Sequence, residues 1–304
     1  PGKISMGGDS HTPHGGSIGM LCIGVGGMDV ATAMTGVPMR LKMPRVINVR
    51  LTGKLQPGVN AKEVILEMLR RVTIKGGLGN VYEYTGEGAA SLEVPQRATI
   101  TNMGAELGAT TSIFPADEQV RKFMKAQGRE ADYRELLPDE DAEYDEVYEI
   151  DLSTLRPTVS FPHLPDNTRT IDEVGEIEID QAVIGSCTNG RISDLRVARD
   201  ILKGKKVNKR VRCIVFPGTQ KIYLQALEEG IIKDLVEAGA VVSTPTCGPC
   251  LGGHMGILAK GERAISTTNR NFVGRMGHVE SEVYLASQAV AAASAITGKI
   301  TNPE

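Results

Sequence analysis

QAVIGSCTNG, residues 181–190, predicts a short buried strand (181–184), a turn at Gly-Ser-Cys, and a helix at 194–202 shortly after it. The order of strand, loop and helix then recurs. Strands are predicted at 211–216, 241–244 and 264–267, and helices at 221–229 and 282–297. Such repetition is typical of a parallel sheet covered by helices on both faces, so we expect an α/β fold.

Polar and sulfur-bearing residues follow these predicted strands. Cys187, Cys247, Cys250, Asn269 and Arg270 each lie just after a strand end. Ligands of open α/β sheets bind beyond the carboxyl ends of the strands. The sequence therefore predicts that these five residues converge on one site.

The region before this one, residues 45–157, also alternates strand and helix signals. Strands are predicted at 45–51 and 98–101, and Asn60 and Glu63 resemble a capping box that opens a helix. A further helix is predicted at 117–126, ended by Gly128. A proline-bearing connector follows at 156–167, and we predict three domains: residues 1–44, 45–157 and 158–304.

Composition excludes several classes of protein. The 304 residues carry a net charge of −3, so no basic surface favours nucleic acid. Aromatic residues make up 4% with no Trp, and no membrane-spanning segment or targeting peptide is evident. Five cysteines, an odd number, argue against a secreted disulfide framework and for a reducing, cytoplasmic location. Glycine is abundant, with 35 residues in short apolar clusters, as ligand-binding loops require.

The cysteine pattern allows three kinds of site. Cys187, Cys247 and Cys250 could hold three irons of a four-iron cluster and leave the fourth iron open. The same three cysteines with His254 could form a closed zinc site. Alternatively, Cys247-Gly-Pro-Cys250 could act alone as a redox dithiol. Spacing does not decide between them.

Acidic residues and a histidine in the N-terminal half of the chain could serve acid–base chemistry. Asp9 lies two residues before His11 and could orient its imidazole, or could simply cap a turn. Asn102 and Glu106 follow a predicted strand, and a carboxylate in that apolar stretch either titrates abnormally or meets a cation, unless it only starts a helix.

A second loop carries two arginines. Arg270 and Arg275 lie in a glycine-containing segment beyond a predicted strand. Guanidinium groups bind carboxylates in a bidentate manner, which suits an acidic substrate, although isolated arginines are usually surface residues.

Six segments together resemble the aconitase family, in that family's order and through nearly the whole chain. Within the family, the resemblance is to the archaeal-type large subunits whose swivelling domain is a separate chain. The segments are GGDSHTPHGG (7–16), CIGVGG (22–27), TNMGAELGATTSIFP (101–115), GSCTN (185–189), CGPCLGG (247–253) and TTNRNFVGR (267–275).

The resemblance implies three-layer αβα domains, with parallel or mixed sheets, around a central [4Fe-4S] cluster. Cys187, Cys247 and Cys250 would ligate the cluster, and His254 would be a loop residue beside it. Asp9, His11 and Glu106 would be catalytic, near the substrate-binding iron. The residues implied to bind substrate are Ser10, Asn102, Asn269, Arg270 and Arg275.

The activity implied is that of a hydro-lyase that isomerises a 2-hydroxy acid by dehydration and rehydration. The leading substrate is 2-isopropylmalate, in leucine biosynthesis, with homoaconitate as the alternative. The resemblance also implies a small-subunit partner, in a heterodimer or heterotetramer, that supplies the base for the carbon-bound proton. It further implies that about a hundred residues of the family's first domain would precede Pro1.

Overall fold

A computed structural model describes residues 1–303 and divides them into two compact units. Unit 1 comprises Pro1–Gln56 and Arg71–Leu155, and unit 2 comprises Pro57–Arg70 and the chain from Arg156 onward. The division into three domains near residues 44 and 157 remains a prediction. Within residues 1–303, none of the helices has the length and apolar character needed to cross a bilayer.

The first 155 residues contain six strands and five helices besides short 3-10 turns. In chain order they are β1 (Ile4–Gly7), β2 (Leu21–Gly24), α1 (Gly27–Met34), β3 (Arg45–Thr52), α2 (Ala61–Val72), β4 (Asn80–Thr85), α3 (Gly86–Ser91), α4 (Val94–Met103), β5 (Thr111–Ile113), α5 (Glu118–Ala126) and β6 (Glu146–Asp151).

Unit 1 is built on a four-stranded parallel sheet with the strand order β5-β4-β3-β6, and β1 and β2 form a separate parallel pair. The predicted strand at 45–51 is confirmed as β3, whose Ile47, Val49 and Leu51 are buried. The predicted helix at 117–126 is confirmed as α5, and the Asp117 carboxylate caps it by accepting from Gln119 N and Val120 N.

The strand predicted at 98–101 is wrong, because these residues lie inside helix α4. The helix is nucleated just upstream, where Glu93 and Gln96 form a reciprocal capping box and a proline occupies the first turn. Both faces of α4 are largely buried. The Ala-Thr-Ile-Thr stretch at 98–101 therefore lacked the amphipathic period by which a helix is recognised.

Unit 2 contains the remaining elements. In chain order they are β7 (Thr158–Ser160), β8 (Thr168–Thr170), β9 (Gln181–Gly185), α6 (Ser186–Asn189), α7 (Ile192–Leu202), β10 (Arg212–Phe216), α8 (Gln220–Glu228), α9 (Ile231–Ala238), β11 (Val241–Val242), β12 (Arg263–Ser266), β13 (Glu282–Leu285) and α10 (Gln288–Thr297).

These strands form one sheet in the order β11-β10-β9-β12-β13-β7-β8. The first five are mutually parallel, whereas β7 and β8 are antiparallel additions at one edge. The fold is thus α/β with parallel and mixed sheets, as predicted. Strand β9 lies between β10 and β12 and is buried throughout, so the loop after it starts from a rigid position.

The last predicted helix, 282–297, is only partly correct. Residues Glu282–Leu285 form strand β13, and the helix begins at Gln288 after Ser287 in the N-cap position. The apolar Val-Tyr-Leu run pairs with β12 in parallel, which a local pattern does not reveal. The other strands and helices predicted in this unit are confirmed, although β11 is shorter than expected.

Candidate active site

In unit 1, the turn after β1 brings a histidine against a buried carboxylate. His11 Nε2 lies 3.0 Å from Glu106 Oε1, and their side chains are 11% and 3% exposed. Asp9 Oδ1 accepts a hydrogen bond from His11 N (2.7 Å) and lies 3.5 Å from His11 Nδ1. Asp9 therefore both forms the turn and flanks the imidazole, so the two alternatives considered for it coexist.

Glu106 is held in place by the end of α4. It lies in a 3-10 helix, Gly104–Leu107, that continues directly from α4, and Asn102 is fully buried in the last helical turn. Asn102 thus lies within the helix and Glu106 follows it, whereas the sequence placed both after a strand. Ser10 is exposed, and its Oγ lies 3.4 Å from His11 Nδ1.

In unit 2, the backbone between β9 and α6 is unusual and presents Cys187. Gly185 has φ 123°, and a Cβ there would lie 1.9 Å from the Phe216 carbonyl oxygen. The next residue, Ser186, has φ 71°, a left-handed conformation rare for a side chain with Cβ. Only glycine fits the first position, and the sharp turn places Cys187 at the surface.

The second cysteine loop packs on the side chain of the same residue, Phe216. Gly248 has φ 57°, and a Cβ there would lie 2.6 Å from the ring of Phe216, which is fully buried at the end of β10. Cys250 lies in the 3-10 helix that follows and is buried, whereas Cys247 is exposed. Phe216 therefore supports both loops, one through its main chain and the other through its ring.

Asn269 links the cysteines. Its Nδ2 donates to Cys187 Sγ (3.8 Å) and to Thr188 Oγ1 (2.9 Å), and Cys250 Sγ donates to its Oδ1 (3.7 Å). Burial raises the pKa of Cys250, as does the neighbouring charge of Cys187, while Arg275 opposes the shift. Ionising Cys250 in this buried position is therefore unfavourable.

The arginine loop contributes to the same neighbourhood. Arg275 hydrogen-bonds Cys250, and its Nε is buried without a protein partner among residues 1–303. A guanidinium N–H without a hydrogen-bond partner, beside thiols, is a place where an anion can bind. Arg270, next to Asn269, is partly exposed.

The donor set fits an iron–sulfur cluster better than a single metal ion. In the described part of the chain, no group of three or more His, Cys, Asp or Glu side chains converges on one ion. The zinc site with His254 is therefore not assembled; its ring instead packs edge-on against Phe216, with centroids 6.2 Å apart. A cluster takes one thiolate per iron, so it needs cysteines spread around a larger group.

Sequence reasoning missed a layer of buried charged residues behind Cys187. Arg191 donates from Nη1 to Thr188 O (2.6 Å) and from Nη2 to Cys187 O (3.2 Å). Asp194 accepts from Asn189 Nδ2 (3.2 Å) and Arg191 N (3.0 Å). The only sequence signal is the Arg-x-x-Asp spacing at the start of α7, where a reciprocal capping box forms.

Comparison with known proteins identifies the family. The model of the aconitase family (aconitate hydratase) matches residues 1–176 and 168–298. This chain belongs to the aconitase family. The family assignment agrees with the resemblance seen in the sequence and explains why six motifs occur in one order.

Curated relatives in this family are close in sequence. The chain is 61% identical over 303 residues to the 3-isopropylmalate dehydratase large subunit of Clostridium botulinum (strain Eklund 17B / Type B). It is 59% identical to the protein of that name from Clostridium beijerinckii and 54% identical to that from Acetivibrio thermocellus. Each match covers 100% of this chain and 72% of the relative.

Among solved structures, aconitase X of Thermococcus kodakaraensis in its holo-form matches with a TM-score of 0.40 and 12% identity. This match covers 78% of the chain and 54% of that structure.

Proposed function

We propose that this aconitase-family chain is the large subunit of a hydro-lyase that converts 2-isopropylmalate into 3-isopropylmalate by dehydration and rehydration, in leucine biosynthesis. The observation that carries the proposal is the arrangement of Cys187 and Cys250 on either side of the Asn269 amide, with Cys247 in the adjoining loop. The relatives that bear the name of this dehydratase support the choice of substrate.

Cys187, Cys247 and Cys250 would hold a [4Fe-4S] cluster. When bound, that group supplies an open Lewis-acidic iron, which lowers the cost of hydroxide departure. Asn269 would donate from Nδ2 to the Cys187 thiolate, and the buried Nε of Arg275 would be available to an anion. Cytoplasmic conditions would keep the three thiols reduced, so we propose that location.

The arginines and amides of the chain would bind the substrate. Arg270 and Arg275 would hold its carboxylates through charge-assisted hydrogen bonds. Ser10, Asn102 and Asn269 would accept or donate hydrogen bonds to the remaining oxygens. Two fixed guanidinium groups select for a di- or tricarboxylate over a monocarboxylate.

His11 and Glu106 would move the proton on the oxygen side of the reaction. Their 3.0 Å contact lets one proton be shared between Nε2 and Oε1, and Asp9 orients the ring from the other nitrogen. As the carbon–oxygen bond breaks, the pair protonates the departing hydroxide and releases water. In the rehydration step the pair takes a proton from the water molecule as its hydroxide adds to the neighbouring carbon.

The carbon-bound proton needs a base of its own, which we assign to a small-subunit partner. The large-subunit name of the relatives supports this division of labour. The complete enzyme would be a heterodimer or heterotetramer, and the base would remove the proton as the hydroxide leaves, so that a carbon–carbon double bond forms.

Anaerobic reconstitution with iron and sulfide tests the proposal. We expect broad visible absorbance, iron and sulfide in the ratio of a [4Fe-4S] cluster, and turnover of 2-isopropylmalate once a small subunit is added. A colourless chain without bound iron would overturn the cluster assignment. Cluster binding with turnover of homoaconitate instead of 2-isopropylmalate would reassign the substrate.

A further inference from the structure

Lys62, in the first turn of α2, is a fully buried lysine in unit 2. Its Nζ donates to the main-chain oxygens of Thr267 (2.6 Å) and Thr268 (2.7 Å) and to Asn189 Oδ1 (3.4 Å). The ammonium thus uses all three of its protons on neutral acceptors. None of these hydrogen-bond partners is a carboxylate.

Burying an ammonium without a carboxylate partner costs several kcal/mol. Accordingly, burial lowers the pKa of Lys62 to about 7, and the charges of Glu63, Asp194, Cys250 and Cys187 oppose that shift. Two of these four groups are the proposed ligand thiols. Asp194 is already paired with Arg191, at 3.6 Å.

The carboxylate next to Lys62 in the chain is a weak source of the missing negative charge. Glu63 is buried, its pKa is raised to about 7 by burial, and its Oε2 accepts from Asn60 N (3.0 Å). Its Oε1 has no hydrogen-bond partner in the described structure, so the group sits in a poor environment for an anion. The sulfur centre is therefore a further candidate for the counter-charge, beside Glu63 and Asp194.

The three acceptors of Lys62 belong to the two loops that frame the cysteines. Thr268 directly precedes Asn269, the residue that contacts Cys187 and Cys250, and Asn189 lies two residues after Cys187. One ammonium therefore fixes the spacing between the end of β12 and helix α6. A shift of either loop would break the amide contacts with the thiols.

We propose that Lys62 is a positioning residue of the sulfur centre, which clamps the Cys187 and Asn269 loops together and serves as the buried counter-charge to the anionic cluster. This inference rests on the proposed function. Lys62 need not touch the substrate, and it would act through Asn189, Thr267 and Thr268 on the ligand loops. Its charge would also make the cluster easier to reduce, since a nearby cation stabilises the added electron.

The test compares Lys62→Met, which keeps the length of the side chain but removes its charge and donors, with the unaltered chain after anaerobic reconstitution. The readouts are iron and sulfide per chain, the rate of iron loss on exposure to air, and the reduction potential of the cluster. We expect cluster retention to fall about 10–100-fold, as for other groups that support metal ligands, and the potential to become more negative.

Lys233→Met on α9 is the matched control, since that side chain is 77% exposed and belongs to the same unit. Lys62→Gln keeps one donor for a carbonyl without the charge, so it supplies the potential measurement should Lys62→Met not fold. Lys62→Arg restores the charge, and we expect its potential to return toward that of the unaltered chain.

The role of Lys62 would be overturned if Lys62→Met and Lys62→Gln both retained the cluster as well as the unaltered chain and had the same reduction potential. A potential that changes equally in Lys62→Arg would overturn the counter-charge. Failure of the unaltered chain to bind iron and sulfide would instead refute the proposed function, so the two failures are distinguishable.

Discussion

Glu106→Gln removes the carboxylate that lies 3.0 Å from His11 Nε2 while keeping the size of the side chain. A glutamine cannot exchange a proton with the imidazole, so we expect kcat for dehydration to fall by about 10²–10⁴-fold. Iron content and visible absorbance should not change. The measurement is turnover of 2-isopropylmalate by the reconstituted chain with a small subunit.

Glu118→Gln, on the exposed start of α5, is the matched control and should retain full turnover. A Glu106→Gln enzyme with unchanged kcat would remove Glu106 from the proton path. Loss of iron together with activity would show that the residue acts on the fold and not on the proton.

Glu63 makes stability depend on pH. Its pKa is raised from 4.5 to about 7 by burial, so the folded state binds a proton more tightly than the unfolded chain. The contribution of Glu63 to the free energy of unfolding therefore falls as pH rises from 4.5 to 7 and is level above. Glu63→Gln imitates the protonated acid, and we expect it to gain up to about 3 kcal/mol over the unaltered chain across this window.

Urea unfolding of the cofactor-depleted chain at pH 5, 6 and 7 measures this difference. Glu237→Gln on α9, 63% exposed, should show no such pH-dependent gain. An advantage of Glu63→Gln that stays constant over the window would mean that the carboxyl titrates in its ordinary range.

At the scale of single residues, the sequence could predict that the cysteines lie at one sheet edge. It could not predict the side chains that hold their loops in place. A Cys-x-x-Cys pair after one strand and a third cysteine after another place thiols at the same sheet edge. Lys62 was missed because lysine is usually exposed, yet it lies three residues before Ile65 and seven before Leu69, on the buried stripe of α2. A charged residue on an apolar stripe is the signal that could have found it.

Arg97 connects the elements at one end of unit 1. It is fully buried in α4 and binds both carboxylate oxygens of Asp117, at 2.9 and 2.6 Å. It also donates to the main-chain oxygens of Ala89, Leu92 and Pro115. One guanidinium thus fixes α3, the start of α4 and the N-cap of α5.

Arg97→Met should lower the free energy of unfolding of the chain by about 3–5 kcal/mol, because Asp117 and three carbonyls lose their donor in a buried site. Urea or thermal unfolding measures this loss. Arg121→Met on α5, whose side chain is 51% exposed, should cost less than about 1 kcal/mol. Equal losses in the two variants would contradict the structural role of Arg97.

Helices with a clear capping residue and strands with alternating apolar and polar residues were predictable. Elements that depend on pairing with a distant strand were not. Asp117 marks the start of α5 and the alternation at 45–51 marks β3. Helix α4 was mistaken for a strand because both of its faces are buried. The capping box at α2 formed only in part: Asn60 Oδ1 accepts from Lys62 N rather than from Glu63 N.

On the scale of the whole molecule, unit 2 is discontinuous in sequence. It takes Pro57–Arg70 from between two strands of unit 1, and this segment carries Lys62 together with buried Val64, Ile65 and Leu69. We therefore expect a fragment of residues 156–304 to unfold at a lower temperature than the same fragment with 57–70 attached by a flexible linker. It should also retain less iron.

Thermal unfolding and iron analysis of the two fragments measure this difference. An attached segment of the same composition in scrambled order controls for the added length. If the bare fragment matched the extended one in both properties, residues 57–70 would not be part of the folding unit.

The α/β class followed from the sequence, because the repeat of strand, loop and helix has few other solutions. The antiparallel edge formed by β7 and β8 could not be predicted from the sequence. It depends on pairing between short strands in a proline-containing connector. The membership of 57–70 in unit 2 depends on contacts distant in sequence, which local patterns do not encode.

The contacts of Lys62 also set an order of events during synthesis. Its ammonium leaves the ribosome 205 and 206 residues before the carbonyls of Thr267 and Thr268 to which it donates. Closing a loop of that length is slow and comes late in folding. At about 5–20 residues per second, more than ten seconds of translation separate the clamp from its targets. Under the proposed function, iron delivered earlier would meet thiols without their supporting contacts, so we expect the cluster to be inserted after these residues have been synthesised.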